Sequence, residues 1–290
     1  MKLAKEGFLD LGDARLEYRM IGPPPDAAPT LVLLHEGLGS VAVWGSFAGE
    51  LAAATGVGVL SYSRAGYGRS SPSKLPRAVS FMHEEACGVL PHVLNAIDFR
   101  RGVLVGHSDG ASIAAIYAGT IEDHRVRGLV LIAPHFFTED MGLAEIARAK
   151  AAFEAGTLRA KLARMHADPD NAFHNWCDPW LAPDFRNLDL TDALAHIRVP
   201  ILIVQGENDQ YGTTRQIQVA QEECYCPVEA VLLPDTRHAP HREAPTATLR
   251  AIADFCNRLF RDHREGTIAV HAAEPEENFA RKKWPMHTAY

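Results

Sequence analysis

Short apolar runs alternate along the chain with longer segments whose apolar residues recur at helical spacing. That alternation predicts an α/β fold, a mostly parallel central sheet flanked by helices. Residues 14–21 (ARLEYRMI) alternate as a half-exposed strand does. The runs 31–35 (LVLLH), 57–62 (VGVLSY), 102–106 (GVLVG), 128–133 (GLVLIA), 200–205 (PILIVQ) and 228–233 (VEAVLL) are continuous and apolar, as strands buried on both faces must be. Helices are predicted between them over 43–54, 78–97, 109–120, 213–223 and 245–261.

The span 135–196 interrupts the alternation. It is rich in Ala, Arg, His, Trp and Asp-Pro steps, and 143–166 reads as strongly helical. It is read as a helical cap inserted over the C-terminal edge of the sheet. The core then comprises 1–134 and 197–262, and 263–290 is a charged extension, helical over 276–283.

Composition narrows the function without naming it. Hydrophobic residues make up 47% and charged residues 22% of 290, enough apolar side chains for a sizeable core. A net charge of −7 argues against a nucleic-acid surface, which needs a basic stripe. Five cysteines, with Cys224 and Cys226 spaced C-x-C, read as free thiols in a reducing compartment. With no apolar leader at the N-terminus and no membrane-length apolar segment, a cytoplasmic protein without a membrane partner is expected. Self-association into a homo-oligomer is left open.

Candidate chemistry centres on VLVGHSDGASIA (103–114), where Gly106-His107-Ser108-Asp109-Gly110 is G-x-S-x-G between an apolar strand and a small-residue helix. A serine on such a turn has strained dihedrals, so the positions two residues away must be small. The turn also places Ser108 at a helix N-terminus, where developing negative charge is favoured. Asp109 then offers a backbone N–H to an oxyanion, while the His107 side chain, diverging from its neighbour, is read as packing. A nucleophilic serine needs a base and the base an orienting acid, and where the serine sits on a strand–G-x-S-x-G–helix turn the chain order is Ser, acid, His. After the strand PILIVQG comes Glu207-Asn208-Asp209, with Asp209 favoured over Glu207; after VLLPDTR comes His238, favoured over His241. Asp235 is read as a turn residue. The second oxyanion N–H is expected from HEGLGS (35–40), at Gly37 with Leu38 as the alternative. Leu38, Trp176 and Trp180 are candidate pocket residues, and Phe173 and Phe185 are weighed with them.

With these pieces in order, residues 12–262 resemble the α/β-hydrolase superfamily. The matches are His35-Glu36-Gly37, YSRAGYGRSS (62–71), GHSDG (106–110), GENDQ (206–210) and RHAPHREAP (237–245). Two positions depart from the family's pattern. Glu36 stands where many members have Gly, placing a carboxylate beside the oxyanion loop, where it is expected either to point away or to pair, with Arg64 as the candidate partner. Ser63 stands where an Asp is usual. The resemblance implies a serine hydrolase of a small-molecule carboxylic ester, needing no cofactor. Amide or carbon–carbon bond cleavage by the same triad, and a non-catalytic ligand-binding member of the fold, are the alternatives. No metal site is expected: His166, His174 and His196 are too widely spaced, and Gly37-x-Gly39 lacks the rest of a dinucleotide motif.

Overall fold

A computed structural model describes residues 4–262. Eight strands form one sheet: β1 (Glu6–Asp10), β2 (Arg15–Ile21), β3 (Thr30–Leu34), β4 (Gly58–Tyr62), β5 (Gly102–His107), β6 (Val126–Ile132), β7 (Ile201–Gly206) and β8 (Val228–Leu233). Their order is β1-β2-β4-β3-β5-β6-β7-β8. The β1–β2 and β2–β4 pairs are antiparallel, and every other pair is parallel.

The central strands are as dry as their apolar runs predict. Every residue of β3, β4, β5 and β7 is buried. Alternate residues of β5 feed opposite faces, Leu104 into one apolar layer and Val103 and Val105 into the other. β8 departs from expectation, because most of its residues are exposed or only half buried. It is the last strand at one edge of the sheet, with a partner on one side only. The unpredicted β1 is the opposite edge. Its alternation is too weak to read, and it is held by backbone pairing to β2 with opposite charges across the strands, Glu6 to Arg19 and Asp10 to Arg15.

The helices are α1 (Phe47–Thr55), α2 (81–96), α3 (Asp109–Thr120), α4 (Asp140–Glu154), α5 (Thr157–Leu162), α6 (Pro169–Leu181), α7 (Thr191–His196), α8 (Arg215–Glu223), α9 (Pro240–Glu243) and α10 (Pro245–Asp262). α2 contains a wide π-type stretch at Glu84–Val89. Four helices, α4 to α7, lie between β6 and β7, where the insertion is predicted. The helical run read over 143–166 is broken, because Gly156 at φ 85° ends it and reverses the chain into α5. α6 begins at an Asp-Pro step: Asp168 caps it by accepting from Asn171 N–H at 2.9 Å, and Pro169 fills the first helical position. Among the described residues no helix is long and apolar enough to cross a membrane. The extension 263–290 lies outside the described residues.

Candidate active site

β5 runs straight into α3, and Ser108 is the hinge, at φ 53° and ψ −118°. A side chain there is strained, and the surroundings enforce it. Ser108 N–H is tied to the Ile132 carbonyl at 2.9 Å, and its own carbonyl accepts from Ala111 N–H at 2.8 Å. The flanking glycines have no room for substitution: a Cβ at Gly106 would come within 2.2 Å of the Gly110 carbonyl, and one at Gly110 within 2.1 Å of the Leu34 carbonyl. The spacing of G-x-S-x-G therefore records how closely α3 lies on β3 and β5.

His238 reaches this turn from the loop after β8. Its Nε2 lies 2.9 Å from Ser108 Oγ, and its Nδ1 lies 2.8 and 3.0 Å from the two Asp209 carboxylate oxygens. Nδ1–H donates to the carboxylate, which leaves Nε2 free to accept the serine proton. Asp209, just beyond β7, is buried and also accepts from Tyr211 N–H at 2.9 Å, whereas Glu207 is exposed. Burial is the largest single influence and by itself would raise the Asp209 carboxyl, but the His238 hydrogen bond and charge, the Tyr211 N–H and His135 together outweigh it and hold the group below the ordinary carboxylate range. Asp235 sits in the turn after β8 at φ 52°, away from this hydrogen-bonded line.

A cavity of about 100 Å³ opens onto Ser108, lined by Gly37, Leu38, Asp109, Trp176, Trp180, His238 and other side chains. Trp176 and Trp180 come from α6, so the insertion forms one wall. Phe173 and Phe185 do not line it: Phe173 stacks on Phe153 at 3.8 Å, and Phe185 packs against Trp180 at 4.5 Å. The Gly37 and Leu38 N–H groups have no hydrogen-bond partner among the described residues, and Asp109 N–H is in the unpaired first turn of α3. Gly37 is required by its neighbour, since a Cβ there would fall 2.1 Å from the Trp176 indole. Asp109 is fully buried, accepts from Trp180 Nε1–H at 3.1 Å, and is pushed up to about 6 by burial.

The match to the α/β-hydrolase family model runs over residues 31–251. The chain belongs to the α/β-hydrolase family. Epoxide hydrolase B of Mycobacterium tuberculosis is 33% identical over 131 residues, which cover 44% of this chain and 35% of that protein. This α/β-hydrolase thus spans about a third of the length of the curated relative it matches. The enol-lactonase of Burkholderia xenovorans LB400 superposes with a TM-score of 0.69 at 20% identity, covering 86% of this chain and 99% of that one. A structure from work on carboxylesterases of the thaumarchaeon Nitrososphaera gargenis gives 0.70 at 18% identity, covering 88% and 100%. At such identities the likeness is one of fold.

At the first departure from the family pattern the candidate partner, Arg64, is not the one found. Arg64 does not pair with the Glu36 carboxylate; its guanidinium donates to the carbonyls of His35 at 2.6 Å and Glu36 at 3.0 Å, pinning the loop after β3 by its backbone. The Glu36 carboxylate folds over Gly39 and faces His107, with Oε2 3.4 Å from Nδ1. At the other departure, Ser63 Oγ donates to Glu17 Oε2 at 3.0 Å and accepts from Val41 N–H at 2.9 Å. Glu17 on β2 also takes Arg69 Nε–H at 2.6 Å, so the usual carboxylate is supplied from the neighbouring strand.

Sequence reasoning missed three residues here. His135 and Tyr211 line the cavity, with ring centroids 5.5 and 4.5 Å from that of His238. His135 follows β6 on the same sheet edge as Ser108, Asp209 and His238, and that position is the signal that could have found it. His107, read as packing, has its Nε2 2.8 Å from the His238 carbonyl and its Nδ1 facing the Glu36 carboxylate at 3.4 Å. From the insertion, His166 accepts from Gly68 N–H at 2.9 Å and donates to the Leu38 carbonyl at 3.0 Å.

Proposed function

We propose that this hydrolase cleaves small carboxylic esters through an acyl-enzyme on Ser108, with His238 as base, Asp209 as orienting acid, and the N–H groups of Gly37 and Asp109 as oxyanion donors. The observation that carries the reading is the position of the His238 imidazole, within hydrogen-bond reach of the Ser108 hydroxyl on one side and the Asp209 carboxylate on the other. In this mechanism Ser108 Oγ attacks the ester carbonyl as its proton passes to His238 Nε2. The carbonyl oxygen becomes an oxyanion held by the two N–H groups. Collapse breaks the bond to the alcohol oxygen, which takes the proton from His238. Water, deprotonated by His238, then attacks the acyl carbonyl and frees the acid and Ser108.

The cavity favours a short acyl group. Its volume of about 100 Å³ is less than the ~150 Å³ of an engineered cavity that holds benzene. Trp176, Trp180, Ile146 and Leu38 give it apolar walls. Opening of an epoxide by a carboxylate nucleophile is not favoured, because the Asp109 carboxylate is turned to Trp180 while His238 addresses Ser108. The helices α4 to α7 act as the cap in this reading, and the cytoplasm as the setting.

The Ser108→Ala protein is expected to fold and to lose p-nitrophenyl butyrate hydrolysis by about 10³–10⁶-fold, the range seen when a triad nucleophile is removed. Turnover near the wild-type rate would refute the reading. Running ester, amide and vinylogous diketone substrates against both proteins separates ester cleavage from the alternatives, and loss of all three activities in the wild type would point to a non-catalytic ligand-binding protein.

A further inference from the structure

Behind the proposed triad stands a second carboxylate–imidazole pair that the mechanism does not use. Glu36 belongs to the oxyanion loop after β3, and His107 immediately precedes the nucleophile on β5. The Glu36 Oε2 faces His107 Nδ1 at 3.4 Å. On the far side of the ring, His107 Nε2–H donates to the backbone carbonyl of His238 at 2.8 Å. The ring thus stands between a carboxylate oxygen at ion-pair distance on one side and a main-chain carbonyl that accepts its Nε2–H on the other. The ring is buried and closely set: its centroid is 5.2 Å from that of His238 and 4.7 Å from that of His241. The groups facing it are Glu36 from the oxyanion loop, His238 from the loop after β8, His241 from α9 and, farther off, His135 from the loop after β6. Glu36 is the one acid among them. The fold makes room for that carboxylate, since a Cβ on Gly39 would lie 2.5 Å from Oε2.

We infer that Glu36 and His107 are positioning residues for the base, forming a brace that ties the oxyanion loop to the main chain of His238 and so sets the reach of its Nε2 to Ser108. Without the brace, the His238 backbone is held only by its own loop, and the imidazole must find both Asp209 and Ser108 from a looser anchor. Supports of this kind change the rate of the chemical step far more than substrate binding. A neutral amide in place of the carboxylate preserves the brace. Gln at position 36 donates N–H to a His107 whose Nδ1 is unprotonated, and Nε2–H still serves the His238 carbonyl.

The inference rests on Ser108 being the nucleophile, and the experiment separates the two claims. The rate of Ser108 labelling by a fluorophosphonate, and kcat and KM for p-nitrophenyl acetate, are measured for wild type, Ser108→Ala, His107→Phe, Glu36→Ala and Glu36→Gln, with thermal unfolding of each. Labelling and kcat are expected to fall about 10–100-fold in His107→Phe and Glu36→Ala, as for supporting residues around other reactive centres. KM should stay within about twofold, and Glu36→Gln should recover most of the loss. The recovery and the kcat-against-KM split distinguish positioning from a general loss of fold. If His107→Phe does not fold, the Glu36→Ala and Glu36→Gln pair carries the same comparison. Wild-type labelling rates in both folded variants, or no recovery in Glu36→Gln, overturn the brace while leaving Ser108 in place. Absence of labelling in the wild type removes the nucleophile and the brace together.

Discussion

At the scale of single residues, the proposed triad is set apart by what each side chain is denied. Ser108 is denied a relaxed backbone, and Asp209 is denied water but given the His238 N–H in its place. The neighbouring Glu207 has the same chemistry and none of the context, being exposed. Asp209→Asn is expected to lower kcat by about 10⁴-fold, the effect of holding a triad imidazole in the wrong tautomer. Glu207→Gln should stay within about twofold, a contrast that steady-state kinetics on one ester can read. Ser108, Asp209 and His238 were legible in the sequence because each follows a strand whose apolar run is unmistakable, and chain order restricts the roles. His107 was not, because its partners lie 71 and 131 positions away in Glu36 and His238 and no local pattern announces them. Trp176 and Trp180 were separable from Phe173 only in three dimensions, since both kinds of position on α6 are buried.

At the scale of elements, the insertion does more than cover the site. α6 lays the Trp176 indole on Gly37 and hangs Trp180 on Asp109, so the two residues whose N–H groups are the proposed oxyanion donors each carry an indole from the same helix. His166, upstream of α6, fastens the Leu38 carbonyl from that side as well. Because Trp176 is one wall of a small cavity, Trp176→Ala is expected to raise kcat/KM for octanoyl relative to acetyl esters by at least about tenfold. The same change should cost about 3–5 kcal/mol of stability, typical of removing a buried aromatic side chain. An acyl-length series and a denaturant titration measure the two effects. Element types were legible wherever burial is two-sided. Of the edge strands, β8 was legible as a strand over 228–233 but not as an exposed edge, and β1 was not legible because it is made by pairing rather than by apolar pattern.

At the scale of the whole molecule, the site makes folding sensitive to acid. Burial pushes His135 and His241 down to about 3, and it also lowers His35 and His166. An unfolded chain takes a proton on each histidine below about pH 6.5, while the folded chain does not. Each such group therefore contributes stability that is fully present above about 6.5 and lost as pH falls towards the folded value, by up to about 1.4 kcal/mol per pH unit. Asp109, raised to about 6, acts in the opposite sense between about pH 4 and 6 and offsets roughly one histidine. The net expectation is a steep decline in unfolding free energy below pH 6.5. His241 has no hydrogen-bond partner among the described residues and packs against Trp44 and Phe47. His241→Phe should make the fall between pH 7 and 5 shallower, by up to about 2 kcal/mol, in urea titrations at the two pH values. An unchanged slope would show that His241 takes up its proton in the folded chain as readily as in the unfolded one.

The sheet order also has a consequence for biosynthesis. β1 to β6 include the nucleophile turn, and the chain that follows the insertion adds β7 and β8 one after the other at a single edge. Those two strands deliver Asp209 and His238. A nascent chain whose first 196 residues have emerged from the ribosome holds Ser108 with neither its proposed acid nor its proposed base. Under the proposed mechanism its hydroxyl is then no more reactive than any other, and nucleophilic power would be conferred by the last two strands to be made.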